Sequence, residues 1–129
     1  MAETTPLPGL PTPGQVLQMM KDKMGDTLPA WTTQLGDLAP DLLVSTALLS
    51  KGSVQRPEST IPLKYRHLMA VSAALARRQP ACARSQAHMA LQEGATAEEV
   101  LDAIRIARHL MAAGVVDAAG PILQDLAAE

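Results

Sequence analysis

A single cysteine, Cys82, is the residue of this sequence best suited to nucleophilic or redox chemistry. Pro80 suits the first position of a helix, so Cys82 would occupy the third, where unpaired N–H groups and the helix dipole stabilise a thiolate. The segment 64–84 adds five basic residues and no acidic one: Lys64, Arg66, Arg77, Arg78 and Arg84. These features predict an activated nucleophile or, as the alternative, an inert buried cysteine beside a solvated basic face.

Three histidines could assist this thiol, and helix spacing separates them. His67 lies on the preceding helix, which can pack antiparallel against the helix of Cys82, so we take His67 as its partner. His88 follows Gln86 by two positions and points about 200° away from it, so it is not expected on the face of Cys82. His109 is expected at the surface or in an interface. The alternative for His67 is a hydrogen-bonded histidine in a subunit interface.

Other classes of site have no signature in this sequence. One cysteine excludes an internal disulfide and every site that needs two thiols from one chain. No histidine pair has i, i+4 spacing and no phosphate-binding glycine motif occurs, so we expect neither a metal nor a cofactor. The net charge of −2 gives no reason to expect nucleic acid or a membrane as partner. The opening segment lacks the features of a secretory signal, so we expect a cytoplasmic protein.

Length and composition predict one helical domain. Hydrophobic residues make up 47 % of the 129 residues, phenylalanine is absent, and Val and Ile never alternate as they do in strands. No apolar run approaches the ~20 residues of a membrane span. Residues 1–11, rich in proline, are expected to form a flexible arm, and residues 12–129 a single domain.

Capping residues, prolines and glycines predict where the helices begin and end. Thr12 should cap the first helix, and the capping box from Thr96 to Glu99 should open a long one that ends at Gly114. The helices are expected near 13–24, 28–36, 40–51, 63–78, 80–93, 97–113 and 116–127, the last with a possible break at Gly120–Pro121. In the long helix, the residues expected to face inward are Val100, Ile104, Ala107 and Met111.

The segment from Cys82 to Val100 reads CARSQAHMALQEGATAEEV. It resembles the carboxymuconolactone decarboxylase and alkylhydroperoxidase D (AhpD-like) superfamily, whose members carry CxxC, a histidine, an alanine, Gly-Ala-Thr and a Glu-Glu helix. The residues that match in register are Cys82, Ala90, Gly94, Ala95, Thr96, Glu99 and Val100. The preceding LKYRHLMAVSAALAR looks like the family's helix before the cysteines. The resemblance covers about 61–115 and implies an AhpD-like bundle of about six to seven helices, associating as a trimer or a hexamer.

The resemblance also identifies the positions of the family's active site. In the alkylhydroperoxidase branch, a glutamate, two cysteines and a histidine form a proton relay and a redox dithiol. Those positions hold His67, Gln79, Cys82 and Gln86 in this sequence, so one of the four residues is retained. Aligning Cys82 with the family's first cysteine would put Ser85 at the position of the second cysteine and would break the match at Gly94. A two-cysteine cycle within one chain is therefore excluded.

The favoured function is that of an antioxidant peroxidase. Cys82 would attack a peroxide as a thiolate, and an external thiol would reduce the resulting sulfenic acid. His67 would act as base or charge partner, and Gln79, Gln86 and Arg84 would bind the substrate.

Two alternatives stay open. One is decarboxylase-like chemistry on a small carboxylate, in which His67 moves a proton and one or more of Arg66, Arg77, Arg78 and Arg84 hold the carboxylate. The other is a non-catalytic homo-oligomer that has lost the relay and acts as a binding or scaffold protein.

Overall fold

The computed structural model describes residues 9–129, and residues 1–8, most of the predicted arm 1–11, lie outside this range. The described part is all-helical, with seven α-helices and no strand, which confirms the predicted fold class. The helices are α1 (Pro13–Met24), α2 (Ala30–Leu38), α3 (Pro40–Lys51), α4 (Leu63–Ala76), α5 (Pro80–Gln92), α6 (Ala97–Ala118) and α7 (Gly120–Ala127). A short 3₁₀ turn, Gly25–Thr27, follows α1.

Two helices begin with reciprocal capping boxes. The Thr12 hydroxyl accepts from the backbone N–H of Gln15 at 3.1 Å, and the Gln15 side chain accepts from the N–H of Thr12 at 2.9 Å. Thr96 and Glu99 make the same pair of bonds, at 3.1 and 3.0 Å, at the start of α6. Each box satisfies two N–H groups that the helix leaves without partners. The predicted starts of α1 and α6 are thus confirmed.

The turns that follow α4 and α5 each contain one residue with a positive φ angle. After α5, Gly94 adopts φ +93°, its N–H donates to Leu91, and the N–H of Ala95 donates to Ala90 at 3.0 Å. After α4, Arg78 takes the corresponding place with φ +55°. A side chain in this left-handed conformation costs about 1–2 kcal/mol, which glycine avoids. The tight turn after α4 sets α5 directly against it, so that the predicted pairing of these helices is realised.

The helices pack in two groups that α5 joins. In the first group α1, α2 and α3 surround a buried cluster of Val16, Met20, Leu43 and Ala47. In the second group α4 packs against both α5 and α6. Because α5 also contacts α1, it lies between the two groups.

The inward face and the end of α6 differ from the prediction. Ala107 is buried as expected, but Ile104 and Met111 are 42 % and 38 % exposed, and Ala103 is buried instead. The small side chains let α4 approach closely, and the Ser72 hydroxyl donates to the carbonyl of Ala103 at 2.8 Å. The helix also continues through Gly114 to Ala118, since one interior glycine costs only about 1 kcal/mol relative to alanine.

The C-terminal helix, α7, makes few contacts with the other described helices. Among the described elements α7 contacts α6 alone, and none of its residues is buried. No single helix of residues 9–129 is long and apolar enough to cross a membrane. The α6–α7 pair, bent by 43°, reaches the required length and apolarity only when the two helices are taken together.

An ion pair joins the starts of α4 and α6, with Lys64 Nζ 3.2 Å from Glu99 Oε2. The backbone N–H of Thr96, and then Lys64, lower the pKa of Glu99 below its ordinary value of 4.5. A carboxyl group whose pKa is lowered by folding stabilises the folded state above the ordinary pKa and loses this effect as the pH falls. Glu99→Gln should therefore melt at a lower temperature than the parent at pH 7.

The same variant retains an acceptor for the capping box, so it removes mainly the charge. Thermal unfolding followed by circular dichroism checks the expectation: the difference in Tm should shrink as the pH falls below about 4.5. A difference that is the same at pH 7 and pH 3 would contradict a role of the Glu99 charge.

Candidate functional site

Cys82 faces a cavity of about 190 Å³ between α1, α3 and α5. The side chain is half-buried. Gln86 follows one turn later and lines the same cavity, as the i, i+4 spacing predicts. Most of the remaining wall is apolar and includes Met19, Met20, Met24, Trp31, Ala47 and Met89. The thiol therefore lies at the edge of an apolar space large enough for a small organic molecule.

The charged residues of this cavity that belong to the described range are all basic. Lys23 and Lys51 line it, and no acidic side chain of residues 9–129 does. In the part of the chain that the structure describes, neither lysine forms an ion pair. Nearby cations stabilise a thiolate and attract an anionic ligand. The cavity thus combines an apolar body with a positive rim.

His67 is buried behind Gln86 and is only 1 % exposed. Its Nδ1 lies 2.7 Å from Gln86 Oε1, and its Nε2 lies 3.4 Å from Gln55 Nε2. Because the Gln86 oxygen can only accept, Nδ1 donates to it, and Nε2 then accepts from the Gln55 amide. Both ring nitrogens of His67 are therefore engaged by glutamine side chains.

The two hydrogen-bond partners of His67 connect this buried residue to the cavity. Gln86 and Gln55 both line the cavity, and the Lys23 ammonium donates to Gln55 Oε1 at 3.4 Å. Among the described residues the amide NH₂ of Gln86 has no protein acceptor. A histidine thus orients two glutamines, and one of them has a donor available for a ligand.

The structure places Cys82 and His67 on adjacent helices, and Gln86, on the helix of Cys82, bonds to His67. No hydrogen bond within residues 9–129 joins the Cys82 sulfur to the His67 ring, whose two nitrogens are bonded to Gln86 and Gln55. Their roles in catalysis remain predictions.

The other two predicted substrate-binding residues lie away from the cavity. Gln79 is exposed at the N-terminal cap of α5 and lines a separate surface groove along α4, which Gln86 also borders. Arg84 is exposed and lines neither space. Arg84 follows Cys82 by two positions, which turns it about 200° around the helix.

The remaining histidines are also separate from Cys82. His88 lies 3.0 Å from the Gln92 amide on the same helix, and His109 is exposed on α6. Across the described range, no three His, Cys, Asp or Glu side chains are grouped so that they could hold a metal ion.

The sequence analysis missed polar residues of the site, among them Lys23, Lys51 and Gln55. Lys23 and Lys51 end α1 and α3, where basic residues are ordinary helix-end features. Gln55 lies in the connection between α3 and α4, twelve residues before His67. No local pattern in the sequence marks any of them, because they reach the site only when α1 packs against both α3 and α5.

Comparison with known proteins supports the resemblance noted in the sequence. No curated protein gave a significant match to this chain. A family model, described as the carboxymuconolactone decarboxylase family, matches residues 40–124, about two thirds of the chain. The match includes α3 to α6 and thus Cys82, His67 and both glutamines of the site. The chain belongs to the carboxymuconolactone decarboxylase family.

Proposed function

We propose that this protein is a peroxidase that uses Cys82 as its single redox-active residue. The observation that carries the proposal is the position of this thiol, at the N-terminal turn of α5 and beside a cavity that two lysines line. In the proposed reaction Cys82 acts as a thiolate, which is the nucleophilic form of cysteine. The apolar wall favours an organic hydroperoxide over a fully polar substrate.

The reaction would proceed through a sulfenic acid. The Cys82 thiolate attacks the terminal oxygen of R–O–O–H, the O–O bond breaks, and the S–OH group forms while RO⁻ leaves and takes up a proton as ROH. An external thiol then displaces hydroxide as water and forms a mixed disulfide. A second external thiol releases Cys82 as a thiolate. Two thiols are oxidised to one disulfide for each peroxide reduced.

Gln86 would assist this reaction by donating a hydrogen bond to a peroxide oxygen. Its carbonyl oxygen accepts from His67, which fixes the amide plane and leaves the NH₂ group as a donor without a partner among the described residues. A donor held in place can stabilise the negative oxygen that develops as the O–O bond breaks. His67 is then a positioning residue, and Gln55 holds it from the other nitrogen.

The reactivity of Cys82 in the native protein tests this proposal. We expect iodoacetamide to modify native Cys82 at pH 7 faster than it modifies the urea-unfolded chain, with both rates followed by mass spectrometry. Replacing Lys23 and Lys51 by methionine should slow the native reaction. Lys21→Met is the matched control, since Lys21 is exposed on α1 and does not line the cavity. Modification that occurs only after unfolding would contradict the proposal.

Chemistry on a small carboxylate is the second candidate function. The observation that favours it is that Lys23 and Lys51, which form no ion pair in the described part of the chain, could bind a carboxylate inside the cavity. In this case the Gln86 amide would orient the substrate and Cys82 would be dispensable. The two candidates therefore differ in what they require of the thiol.

A further inference from the structure

The two lysines of the Cys82 cavity lie at the same end of it. Lys23 and Lys51 belong to the last turns of α1 and α3. Gln55 follows Lys51 by four residues, and its Oε1 accepts from the Lys23 ammonium at 3.4 Å. All three side chains line the cavity, so its positive charge is concentrated where these two helices end. We call this part of the cavity its lysine end.

The apolar wall begins one helix turn away from the lysine end. Lys23 follows Met20 by three residues and Met19 by four, and Lys51 follows Ala47 by four. Residues at these spacings share one face of a helix, and all five side chains line the cavity. Met20 and Ala47 also belong to one buried cluster, which holds the two helix faces together. The cavity thus has a charged end and an apolar body.

The helix of Cys82 supplies the reactive side of the same cavity. Cys82 and Gln86 lie one turn apart on α5, and both line the cavity. Gln86 bonds to His67 at 2.7 Å, His67 lies 3.4 Å from Gln55, and Gln55 accepts from Lys23. A line of hydrogen-bonded side chains therefore connects the residue beside the thiol to the lysine end.

A ligand that satisfies all of these groups has an oxygen for Gln86, an apolar body and an anionic group. An engineered apolar cavity of about 150 Å³ holds benzene, so about 190 Å³ accommodates one aromatic ring with short substituents. We propose that the substrate of Cys82 is an organic hydroperoxide that carries a carboxylate, which binds to Lys23 and Lys51. This inference rests on the proposed peroxidase function and narrows its substrate class.

The carboxylate takes no part in the bond changes. The Cys82 thiolate takes the terminal oxygen of ⁻OOC–R–O–O–H, the O–O bond breaks, and the alkoxide takes up a proton and leaves as ⁻OOC–R–OH. Two external thiols then return the sulfenic acid to the thiolate, with release of water and one disulfide. Because the charge of the carboxylate is the same before and after the reaction, the lysines contribute to substrate binding and raise kcat/KM mainly through KM.

A matched pair of substrates tests this inference. Cumene hydroperoxide with a para carboxylate is compared with its para carboxamide, which has nearly the same shape and no charge, with dithiothreitol as the external thiol. The parent should show a kcat/KM at least about tenfold higher for the carboxylate, and this preference should shrink as the ionic strength rises. Equal values for the two substrates would overturn the inference and leave the peroxidase proposal standing. Consumption of neither would overturn both.

Substitutions test whether the lysines cause the preference. Lys23→Met with Lys51→Met should bring the ratio of the two kcat/KM values close to one, whereas Lys23→Arg with Lys51→Arg keeps the charges and should retain the preference. Lys21→Met is the matched control, because Lys21 is exposed and does not line the cavity. Both substrates are measured on each variant, so a general loss of active protein leaves the ratio unchanged. A preference that persists in the double methionine variant would overturn the inference.

Binding can also be measured without turnover, in Cys82→Ser. The probe para-isopropylbenzoate, which lacks the peroxide, should raise the Tm of this variant more than para-isopropylbenzamide does. Adding Lys23→Met and Lys51→Met should remove the difference. Equal shifts for the two probes in Cys82→Ser would overturn the carboxylate site, whether or not the parent consumes peroxide.

Discussion

The variant Cys82→Ser is expected to lose peroxide consumption by at least about a hundredfold, because a serine hydroxyl neither ionises at neutral pH nor forms a sulfenic acid. The measurement is the consumption of an organic hydroperoxide with dithiothreitol as the external thiol. Trapping of the sulfenic acid with a dimedone probe should label the parent and not the variant. The half-buried position of Cys82 beside the cavity predicts that substrate reaches it without unfolding.

His109→Gln serves as the control for this experiment, since His109 is exposed on α6 and does not line the cavity. Its activity should equal that of the parent. If Cys82→Ser consumes hydroperoxide as fast as the parent, the thiol mechanism is wrong. A small carboxylate that raises the Tm of Cys82→Ser, but not that of Lys51→Met, would then favour the second candidate function.

Truncation of Leu43 is expected to cause the largest loss of stability, since this side chain is fully buried in the cluster that holds α1 and α3 together. Leu43→Ala should lower the free energy of unfolding by about 2–5 kcal/mol, through lost burial and the space left behind. Met20 and Ala47 belong to the same cluster and line the cavity of Cys82. The loss should therefore also loosen the cavity wall.

Urea unfolding followed by circular dichroism measures this effect. Leu49→Ala is the matched control on the same helix: Leu49 is 76 % exposed, so its truncation should change the free energy of unfolding by less than about 0.5 kcal/mol. Equal midpoints for the two variants would mean that α1 and α3 do not belong to the cooperative core.

Much of the fold could be predicted because the signals that end helices are local. Thr12 with Gln15 and Thr96 with Glu99 lie three residues apart, so each capping box can be identified directly in the sequence. Pro80 likewise indicates the start of α5. The inward face of α6 was less predictable. Alanine and isoleucine are both apolar, and only the close approach of α4 selects Ala103 over Ile104 for burial.

The candidate site was likewise predictable only where it depends on residues that are close in the sequence. Cys82 and Gln86 could be placed on one face from their spacing along α5. Gln55, Lys23 and Lys51 could not be identified from the sequence, because they come from segments that reach α5 only through packing.

The all-helical class, the starts of α1 and α6, and a cysteine in the first turn of α5 follow from the amino-acid sequence alone, since these features depend on neighbours within a few residues. Tertiary packing decided that His67 bonds to Gln86 and Gln55, because the two ring nitrogens meet glutamines 19 and 12 residues away. It also decided that α7 contacts α6 alone among the described helices, since burial depends on which helices meet. Hydrogen bonds and burial that involve distant segments arise from packing, and no local sequence pattern predicts them.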